Sequence, residues 1–361
     1  MNIVYITCLS GNKAAGLTYS VPAQIESQSG IDNVFWYNLN SIYKSNQTKN
    51  INYCNINDFP SKKVSELPEP FNNPDLVIFQ GIYFLDYYLI SKELVKHKIP
   101  YIIIPRGSLT RGAQNIKSIK KIISNKLIFN KFTKNALAIQ YLNLSEYQDS
   151  GDRWNQNYLI VPNGTHFKAI QKTIKERSPL KGVFVGRLHV YHKGIDLLIE
   201  ACAKLKNEID GVFQIEIYGE DQDGSKREVT DLIDKHGLEK IIKVKDAIFD
   251  NEKEALLLES DFFVLTSRFE GHPMGLIEAL SYGLPCLVTT GTNMAEEIEK
   301  GNAGWTAEAE IESIVIAINR LIREKTNLEE KGNNAKRLSR NYDWDALAQK
   351  SNYLYSELIN Q

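Results

Sequence analysis

The fold is decided by a stretch in the middle of the chain, residues 183–205, which read VFVGRLHVYHKGIDLLIEACAKL. A short run of valine and phenylalanine comes first, and a turn bounded by two glycines follows. The remainder predicts a helix, because its apolar residues recur on one helical face: Ile195, Leu198, Ile199, Cys202 and Leu205. A strand, a turn and a helix in this order form the βα unit from which parallel sheets are built.

The same alternation of strand and helix patterns runs along both halves of the chain. In the first half, strands are predicted at residues 2–7, 76–80, 101–105 and 137–141. In the second half, strands are predicted at residues 183–185, 213–218, 241–244, 262–266 and 285–289. Helical patterns fill the gaps, which predicts an α/β protein with parallel sheets covered by helices.

The chain has 361 residues, enough for two domains and a cleft between them. A cluster of turn residues at 162–165 precedes a polar stretch at 168–179, and we expect the linker there. The predicted division is a first domain at 1–164, a second at 165–341, and a terminal segment at 342–361. This last segment is expected to form an amphipathic helix that crosses back onto the first domain.

Composition narrows the class of protein. With 43% hydrophobic and 24% charged residues, the chain is typical of a packed globular enzyme. The formal net charge of −1 argues against nucleic acid as a partner. Four widely spaced cysteines form no C-x-x-C pair, which favours a reducing cytoplasm. No basic leader and no apolar run of about 20 residues is present, so any membrane contact is expected to be peripheral.

Two glutamates flank a segment rich in glycine and proline after the strand predicted at 262–266. Gly271, Pro273 and Gly275 forbid a continuous helix, which leaves Glu270 on a loop at the carboxyl end of the strand, where α/β sheets bind ligands. Glu278 falls in the helix that follows. Carboxylates accept hydrogen bonds from vicinal hydroxyls, so one glutamate could hold a sugar and the other a ribose. The alternative is two solvated glutamates beside a turn.

That helix is expected to begin near Gly275. Its first amides, those of Met274, Gly275 and Leu276, would then be free to bind an anion such as a diphosphate. Two cations, Arg187 and Lys193, lie before the start of another helix, where the macrodipole prefers negative charge. They suit that position if an anionic ligand completes the site, and otherwise they are ordinary surface cations.

Two further segments leave alternatives open. The loop at 10–16, which ends at Gly16, does not fit G-x-G-x-x-G, which argues against a nicotinamide dinucleotide. It is either part of a ligand site or a structural turn. The six lysines of a basic amphipathic helix could attract an anionic membrane, or they could form the solvated face of a helix packed on the core: Lys117, Lys120, Lys121, Lys126, Lys131 and Lys134.

These motifs together resemble the family-four retaining glycosyltransferases of the GT-B fold, which has two Rossmann-like, doubly wound domains facing a cleft. The resemblance is specific in the second half of the chain and generic in the first. It rests on V-P-N-G at 161–164, V-G-R-L at 185–188 with Lys193-Gly194, I-Y-G-E at 217–220, Glu270 with Glu278, G-L-P at 283–285, and Y-D-W at 342–344.

The resemblance implies roles for these residues. The second domain would bind a nucleotide-sugar donor and the first an acceptor. Arg187 and Lys193 would neutralise the donor diphosphate, Glu270 would hold the transferred sugar, and Glu278 would bind the ribose hydroxyls. Seven further positions are expected on the donor side: Gly16, Gly186, Gly219, Gly271, Met274, Gly275 and Leu276. No metal or other cofactor is implied, and the nucleotide-sugar is a co-substrate.

The acceptor side departs from the family pattern. Arg106 stands where many members have a histidine, and His166 stands where an aspartate is common. Arg106 and Asn163 are the residues expected on that side. The metal site is expected to be absent, because His189 and His192 have no carboxylate at the spacing of metalloenzymes.

The expected function is transfer of a hexose-type sugar from a uridine-linked donor to a lipid-linked or polysaccharide acceptor in cell-surface glycan synthesis, such as O-antigen, capsule or exopolysaccharide. The expected location is the cytoplasm, with the protein either free or peripheral at the inner face of the plasma membrane. Two alternatives remain: a nucleotide-sugar epimerase or hydrolase of the same architecture, and a non-catalytic subunit that binds the donor.

Overall fold

A computed structural model describes residues 1–11, 16–43, 51–115, 118–170, 172, 178–221 and 224–360. The chain divides into two compact units. The first combines Met1–Gly164 with Trp344–Gln361, and the second is Thr165–Asp343. Each unit is built on its own parallel sheet.

Among the described residues, the sheet of the first unit has seven parallel strands in the order β3-β2-β1-β4-β5-β6-β7. The strands are β1 (Asn2–Thr7), β2 (Asn33–Asn38), β3 (Asn52–Asn55), β4 (Leu76–Gln80), β5 (Tyr101–Ile104), β6 (Ala138–Tyr141) and β7 (Tyr158–Ile160). Nearly all residues of β1, β4, β5 and β6 are buried, because helices cover both faces of a parallel sheet.

Most helices of the first unit connect these strands, and the last one follows the second unit in the sequence. They are Leu17–Ser29, Leu85–His97, Arg111–Asn115, Ser118–Ser124, Asn130–Lys134, Leu144–Ser150 and Trp344–Ile359, with a 3-10 turn at Val64–Glu66. A π-helical turn, Asn125–Phe129, joins Ser118–Ser124 to Asn130–Lys134.

In the described part of the second unit, six parallel strands follow the order β10-β9-β8-β11-β12-β13. The strands are β8 (Leu180–Val185), β9 (Phe213–Tyr218), β10 (Ile242–Lys245), β11 (Phe262–Leu265), β12 (Cys286–Thr289) and β13 (Gly304–Ala307). Although β9 and β10 come between them along the chain, β8 and β11 are neighbours in the sheet.

The helices of the second unit are mostly short and amphipathic. They are Val190–Lys193, Ile195–Lys204, Lys206–Ile209, Ser225–His236, Asp250–Glu259, Met274–Ser281, Ala295–Lys300, Ile311–Arg323 and Leu328–Ser339, with 3-10 turns at Thr290–Thr292, Lys325–Asn327 and Arg340–Tyr342. None of the described helices of either unit is long and apolar enough to cross a bilayer.

The predicted α/β class with two parallel sheets is confirmed, and every strand predicted from the sequence is present. Four strands were not predicted. The ends of β2 and β3 are asparagines, which are depleted in strands. β7 has only three residues, and β13 begins at Gly304. Each of these strands lies toward or at a sheet edge.

The terminal helix Trp344–Ile359 packs on the first unit, as expected. The Tyr355 hydroxyl donates to Gln140 Oε1 at 2.6 Å, and Trp344 is buried beside Val161. Tyr342 and Asp343, which were grouped with this helix from the sequence, stay with the second unit. The amide of Thr165 donates to the Tyr342 carbonyl at 2.7 Å.

Candidate functional site

Glycines bring the carboxyl ends of two neighbouring strands together in the second unit. Gly186 follows β8, and Gly219 follows β9. A methyl group on Gly219 would lie 2.0 Å from the Gly186 carbonyl oxygen, so only glycine fits there. The two glycines thus allow the loops after β8 and β9 to approach closely at the edge of the sheet where α/β proteins bind ligands.

The helix Met274–Ser281 begins beside the same edge. A methyl group on Gly275 would lie 3.0 Å from the Val185 carbonyl oxygen, at the end of β8. Among the described residues, the amides of Met274 and Gly275 have no hydrogen-bond acceptor. The Leu276 amide donates to the Pro273 carbonyl at 3.1 Å, so the expectation that it is free is wrong. Two amides therefore remain at this helix start for an anion.

The side chains of Lys193 and Glu270 meet directly. Lys193 Nζ donates to Glu270 Oε1, and the side chains are only 12% and 10% exposed. The Ser267 hydroxyl donates to the same carboxylate oxygen at 2.7 Å. Glu270 Oε2 lies 3.9 Å from His192 Nε2 and accepts no hydrogen bond from the described residues. The carboxylate is thus held through one oxygen while the other stays available.

Charge and burial act in opposite directions on this carboxylate. Burial raises the pKa of Glu270, but the Lys193 ammonium, His192 and the Ser267 hydroxyl outweigh burial and lower the pKa below the usual value. Burial also lowers the pKa of His192, assisted by Lys193 and Arg187 and opposed by Glu270. At neutral pH, Glu270 is therefore ionised and the His192 ring is neutral.

Gly194 holds Lys193 in place. Its φ is +59°, and a methyl group there would lie 1.9 Å from the Thr266 carbonyl oxygen. The Thr266 hydroxyl donates to the Gly194 carbonyl at 2.9 Å. The loop after β8 is therefore fastened to the loop after β11, and this contact brings Lys193 to Glu270.

Other contacts that sequence reasoning missed support the Glu270 loop. Asn293 Nδ2 donates to the Glu270 carbonyl at 2.5 Å from a left-handed backbone conformation with φ of +58°. Arg268 forms a bidentate pair with Asp196, with N–O distances of 2.7 and 2.6 Å. Ser267 and Asn293 follow β11 and β12. Because ligand residues in α/β proteins commonly follow the parallel strands, these positions are the signal by which the sequence could have indicated Ser267 and Asn293.

The remaining predicted donor residues differ in their surroundings. Arg187 is exposed and forms no ion pair with a described residue, so its charge is open to a ligand. Glu278 is paired with Lys253, whose Nζ lies 2.8 Å from its Oε2. It is therefore not simply a solvated glutamate beside a turn. Gly271 lies in the loop before the helix, and its carbonyl lies 3.5 Å from Asn293 Nδ2.

In the first unit, the structure joins the two residues predicted for the acceptor side. Arg106 follows β5 with φ of +51°, and its Nη1 donates to Asn163 Oδ1 at 2.7 Å. Its other bonds run to Gln80, Gln24 and Ser20 at 2.8, 2.7 and 3.3 Å. All four partners are neutral. Burial lowers the pKa of Arg106 to about 10, against the opposite effect of Glu146.

Two predictions in the first unit fall partly outside the described residues. Residues 12–15 of the glycine-containing loop and Lys117 of the basic segment lie there. Gly16 is described and precedes the helix Leu17–Ser29, whose Ser20 amide donates to the Gly16 carbonyl at 3.0 Å. Its predicted role toward the donor stays a prediction.

The structure brings together no set of three His, Cys, Asp or Glu side chains suited to a metal ion within the residues it describes. His272 is buried, and its ring centroid lies 5.3 Å from that of Tyr342. Burial lowers the pKa of His272 to about 3, so the ring is neutral. His272 thus belongs to the packing of the second unit.

Comparison with known proteins identifies the family. A family model described as "Glycosyl transferases group 1" matches residues 166–356, which is more than half of the chain. The chain belongs to this family. The group 1 match begins just after the junction at Gly164 and includes the two strand ends, the Lys193–Glu270 pair and the helix Met274–Ser281.

Relatives of this group 1 glycosyltransferase include proteins from bacteria and archaea. An amylovoran biosynthesis glycosyltransferase of Erwinia amylovora is 32% identical over 152 residues, which cover 40% of this chain and 36% of that protein. An uncharacterized glycosyltransferase of Methanocaldococcus jannaschii is 25% identical over 313 residues, covering 80% and 84%. The chain spans about a third of the length of the first curated relatives it matches.

Solved structures share the fold of this group 1 glycosyltransferase. The Anabaena protein HepE in complex with UDP has a TM-score of 0.75 at 15% identity, covering 99% of this chain and 100% of that chain. The expected glycosyltransferase family and the GT-B fold are therefore confirmed. The roles of individual residues remain predictions.

Proposed function

We propose that this protein transfers a hexose-type sugar from a nucleotide-sugar, with UDP as the nucleotide, and retains the anomeric configuration without a metal ion. The observation that carries the proposal is the Lys193–Glu270 pair, whose Glu270 Oε2 is unused by the described residues. Glu270 lies on the loop that leads into the helix starting at Met274. One carboxylate oxygen and two free amides suit a sugar joined to a diphosphate.

The costly event in such a reaction is departure of the diphosphate, on which negative charge develops. The amides of Met274 and Gly275 are fixed positive groups in the second unit, and the Arg187 cation forms no ion pair with a described residue. Groups arranged before the reaction stabilise the developing charge without reorganisation. We assign them to the diphosphate, with Lys193 able to use its remaining N–H donors in the same way.

The two glutamates would hold the two ends of the donor. Glu270 Oε2 accepts a hydroxyl of the transferred sugar, while Oε1 stays bonded to Lys193 and Ser267. Glu278 accepts the ribose hydroxyls and keeps its pair with Lys253. Neither glutamate acts as a general base in this scheme, because both serve to position the donor.

The proposed acceptor is a lipid-linked or polysaccharide glycan of the cell surface, met at the cytoplasmic face of the plasma membrane. Support comes from the Erwinia amylovora relative, whose name places it in amylovoran biosynthesis. A UDP-linked donor is supported by the Anabaena neighbour, which was solved with UDP. On the first unit, Arg106 and Asn163 are the residues we assign to the acceptor side.

Two measurements test the proposal. A panel of nucleotide-sugars is screened for thermal stabilisation, because a ligand that binds only the folded state raises its stability. Turnover is then measured for Glu270→Ala and Lys193→Ala, and we expect a loss of at least about 100-fold in both. Near-normal turnover in both variants would overturn the site assignment.

A nucleotide-sugar epimerase or hydrolase is the competing activity. Incubation of the protein with donor and without acceptor separates the two. Rapid formation of an epimer or of free sugar would replace the transferase proposal.

A further inference from the structure

A row of large apolar side chains is exposed on the first unit, along Ser118–Ser124 and the π-helical turn after it. Ile119, Ile122, Ile123 and Leu127 are 74%, 65%, 55% and 69% exposed. The first three have the i, i+3, i+4 spacing of one helical face. This face points away from the core, because no residue of Ser118–Ser124 is buried and the segment is anchored further on by Phe129 and Phe132.

The charged residues of the segment that carries this row all have one sign in the sequence. Residues 111–134 contain one arginine, six lysines and no aspartate or glutamate, in a chain whose net charge is −1. Lys120, Lys126 and Lys131 are exposed and form no ion pair with a described residue. Lys121 instead donates to the Ala113 carbonyl and lies 5.3 Å from the Tyr83 ring centroid. The sequence-based membrane prediction included Lys121, which the structure directs inward.

We propose that the apolar row Ile119, Ile122, Ile123 and Leu127 inserts into the interface of an anionic membrane, with Lys120, Lys126 and Lys131 on the lipid headgroups. An exposed apolar face gains free energy at the acyl-chain boundary, and flanking lysines keep their ammonium groups in the headgroup layer. The proposal deepens the proposed function by naming the surface through which the protein reaches a membrane-held acceptor.

The charge pattern selects the occupant. A second copy of this chain would bring Lys120, Lys126 and Lys131 against the same exposed lysines, and like charges would oppose that contact. A neutral apolar partner would offer the lysines no charge of opposite sign. An anionic lipid surface matches both the apolar row and the cations around it.

The test is sedimentation of the full chain with vesicles, in the absence of any nucleotide-sugar. We expect binding to vesicles of phosphatidylcholine with phosphatidylglycerol and none to phosphatidylcholine alone. The double variant Ile122→Ser/Leu127→Ser should bind at least about tenfold more weakly, because it loses two of the apolar side chains that insert into the membrane interface. The matched control is Ile316→Ser, which removes a 61% exposed isoleucine from the second unit and should bind as the wild type does.

Charge is tested separately with Lys120→Gln and Lys126→Gln, each expected to weaken binding about fivefold at low salt. Circular dichroism and the melting temperature show that each variant is folded. Unchanged vesicle binding by the double variant would overturn the proposal, as would a wild type that ignores anionic vesicles. A wild-type dimer that the double variant converts to a monomer, without vesicle binding, would assign the row to self-association instead. None of these readouts requires glycosyl transfer, so they fail independently of the proposed activity.

Discussion

Lys193 and Glu270 are 77 residues apart in sequence, yet their side chains form one nearly buried ion pair. Lys193 follows β8 and Glu270 follows β11, and these strands lie side by side in the sheet. The Ser267 hydroxyl shares Oε1 with the ammonium, while Oε2 lies 3.9 Å from Nε2 of the neutral His192 ring. The pair is therefore both a structural contact between two loops and a site with an available acceptor oxygen.

Removing one partner of this pair should destabilise the protein. We expect Lys193→Met to lower the free energy of unfolding by about 3 kcal/mol, because it leaves the Glu270 carboxylate buried without a counter-charge. The double variant Lys193→Met/Glu270→Gln should recover part of this loss and remain inactive. Urea unfolding at pH 7 measures all the variants. Additive effects of the single changes would show that the two side chains do not interact.

The stability of the protein should depend on acid through Glu270. Its pKa in the folded protein is lowered, so the stabilisation is fully present above about 4.5, the ordinary glutamate value, and is lost as the pH falls through the folded pKa. The difference in unfolding free energy between wild type and Glu270→Gln should therefore be largest at neutral pH and shrink below pH 4.5. Urea titrations at several pH values test this. A difference that grows on acidification would contradict the direction of the shift.

Gly194 offers a sharper test of how the loop positions Lys193. Gly194→Ala adds both a left-handed alanine and a methyl group 1.9 Å from the Thr266 carbonyl, and we expect at least about 2 kcal/mol of destabilisation and loss of turnover. Gly211→Ala is the control. Its φ is +71°, but the methyl would meet no described atom within 4 Å. The control should lose only about 1 kcal/mol and keep its turnover. Equal losses in the two variants would mean that the close approach to Thr266 is unimportant.

Glu278 should act on donor binding more than on the rate of transfer. Glu278→Ala removes a charged acceptor assigned to the ribose, which is worth about 2 kcal/mol, and the KM for the donor should rise about 30-fold with kcat little changed. Lys253→Ala, which removes only the partner of Glu278, should raise the KM less. Steady-state kinetics at varied donor concentration check both. A fall in kcat with an unchanged KM would place Glu278 at the reacting bond.

The sequence predicted the fold well where strands are apolar and buried, as in β1, β4 and β9. It also predicted that Glu270 lies on a loop and that a helix begins near Gly275, since glycine and proline restrict the backbone locally. The sequence grouped Lys193 and Glu270 in one donor site, but their direct ion pair was not predicted, because it depends on β8 and β11 being neighbours. That order is set by packing of the whole sheet, which no local pattern records.

Two other features also required the structure. The left-handed conformation of Asn293 places its amide on the Glu270 carbonyl, and such a backbone choice has only a weak sequence signal. As a sequence pattern, the apolar residues of the basic segment fit a protein core and a membrane surface equally well. Exposure of Ile119 and Leu127 decides that they do not face the core.

The return of Trp344–Ile359 to the first unit has a consequence for biosynthesis. A ribosome makes the chain from its first residue onward, so all of Thr165–Asp343 is synthesised before this helix exists. All residues of the second unit are therefore made before Gln140 and Val161 receive their contacts from Tyr355 and Trp344. Of the two units, the first is therefore begun before the second and completed after it, and a chain released before Trp344 would carry all of the second unit and an uncovered first one.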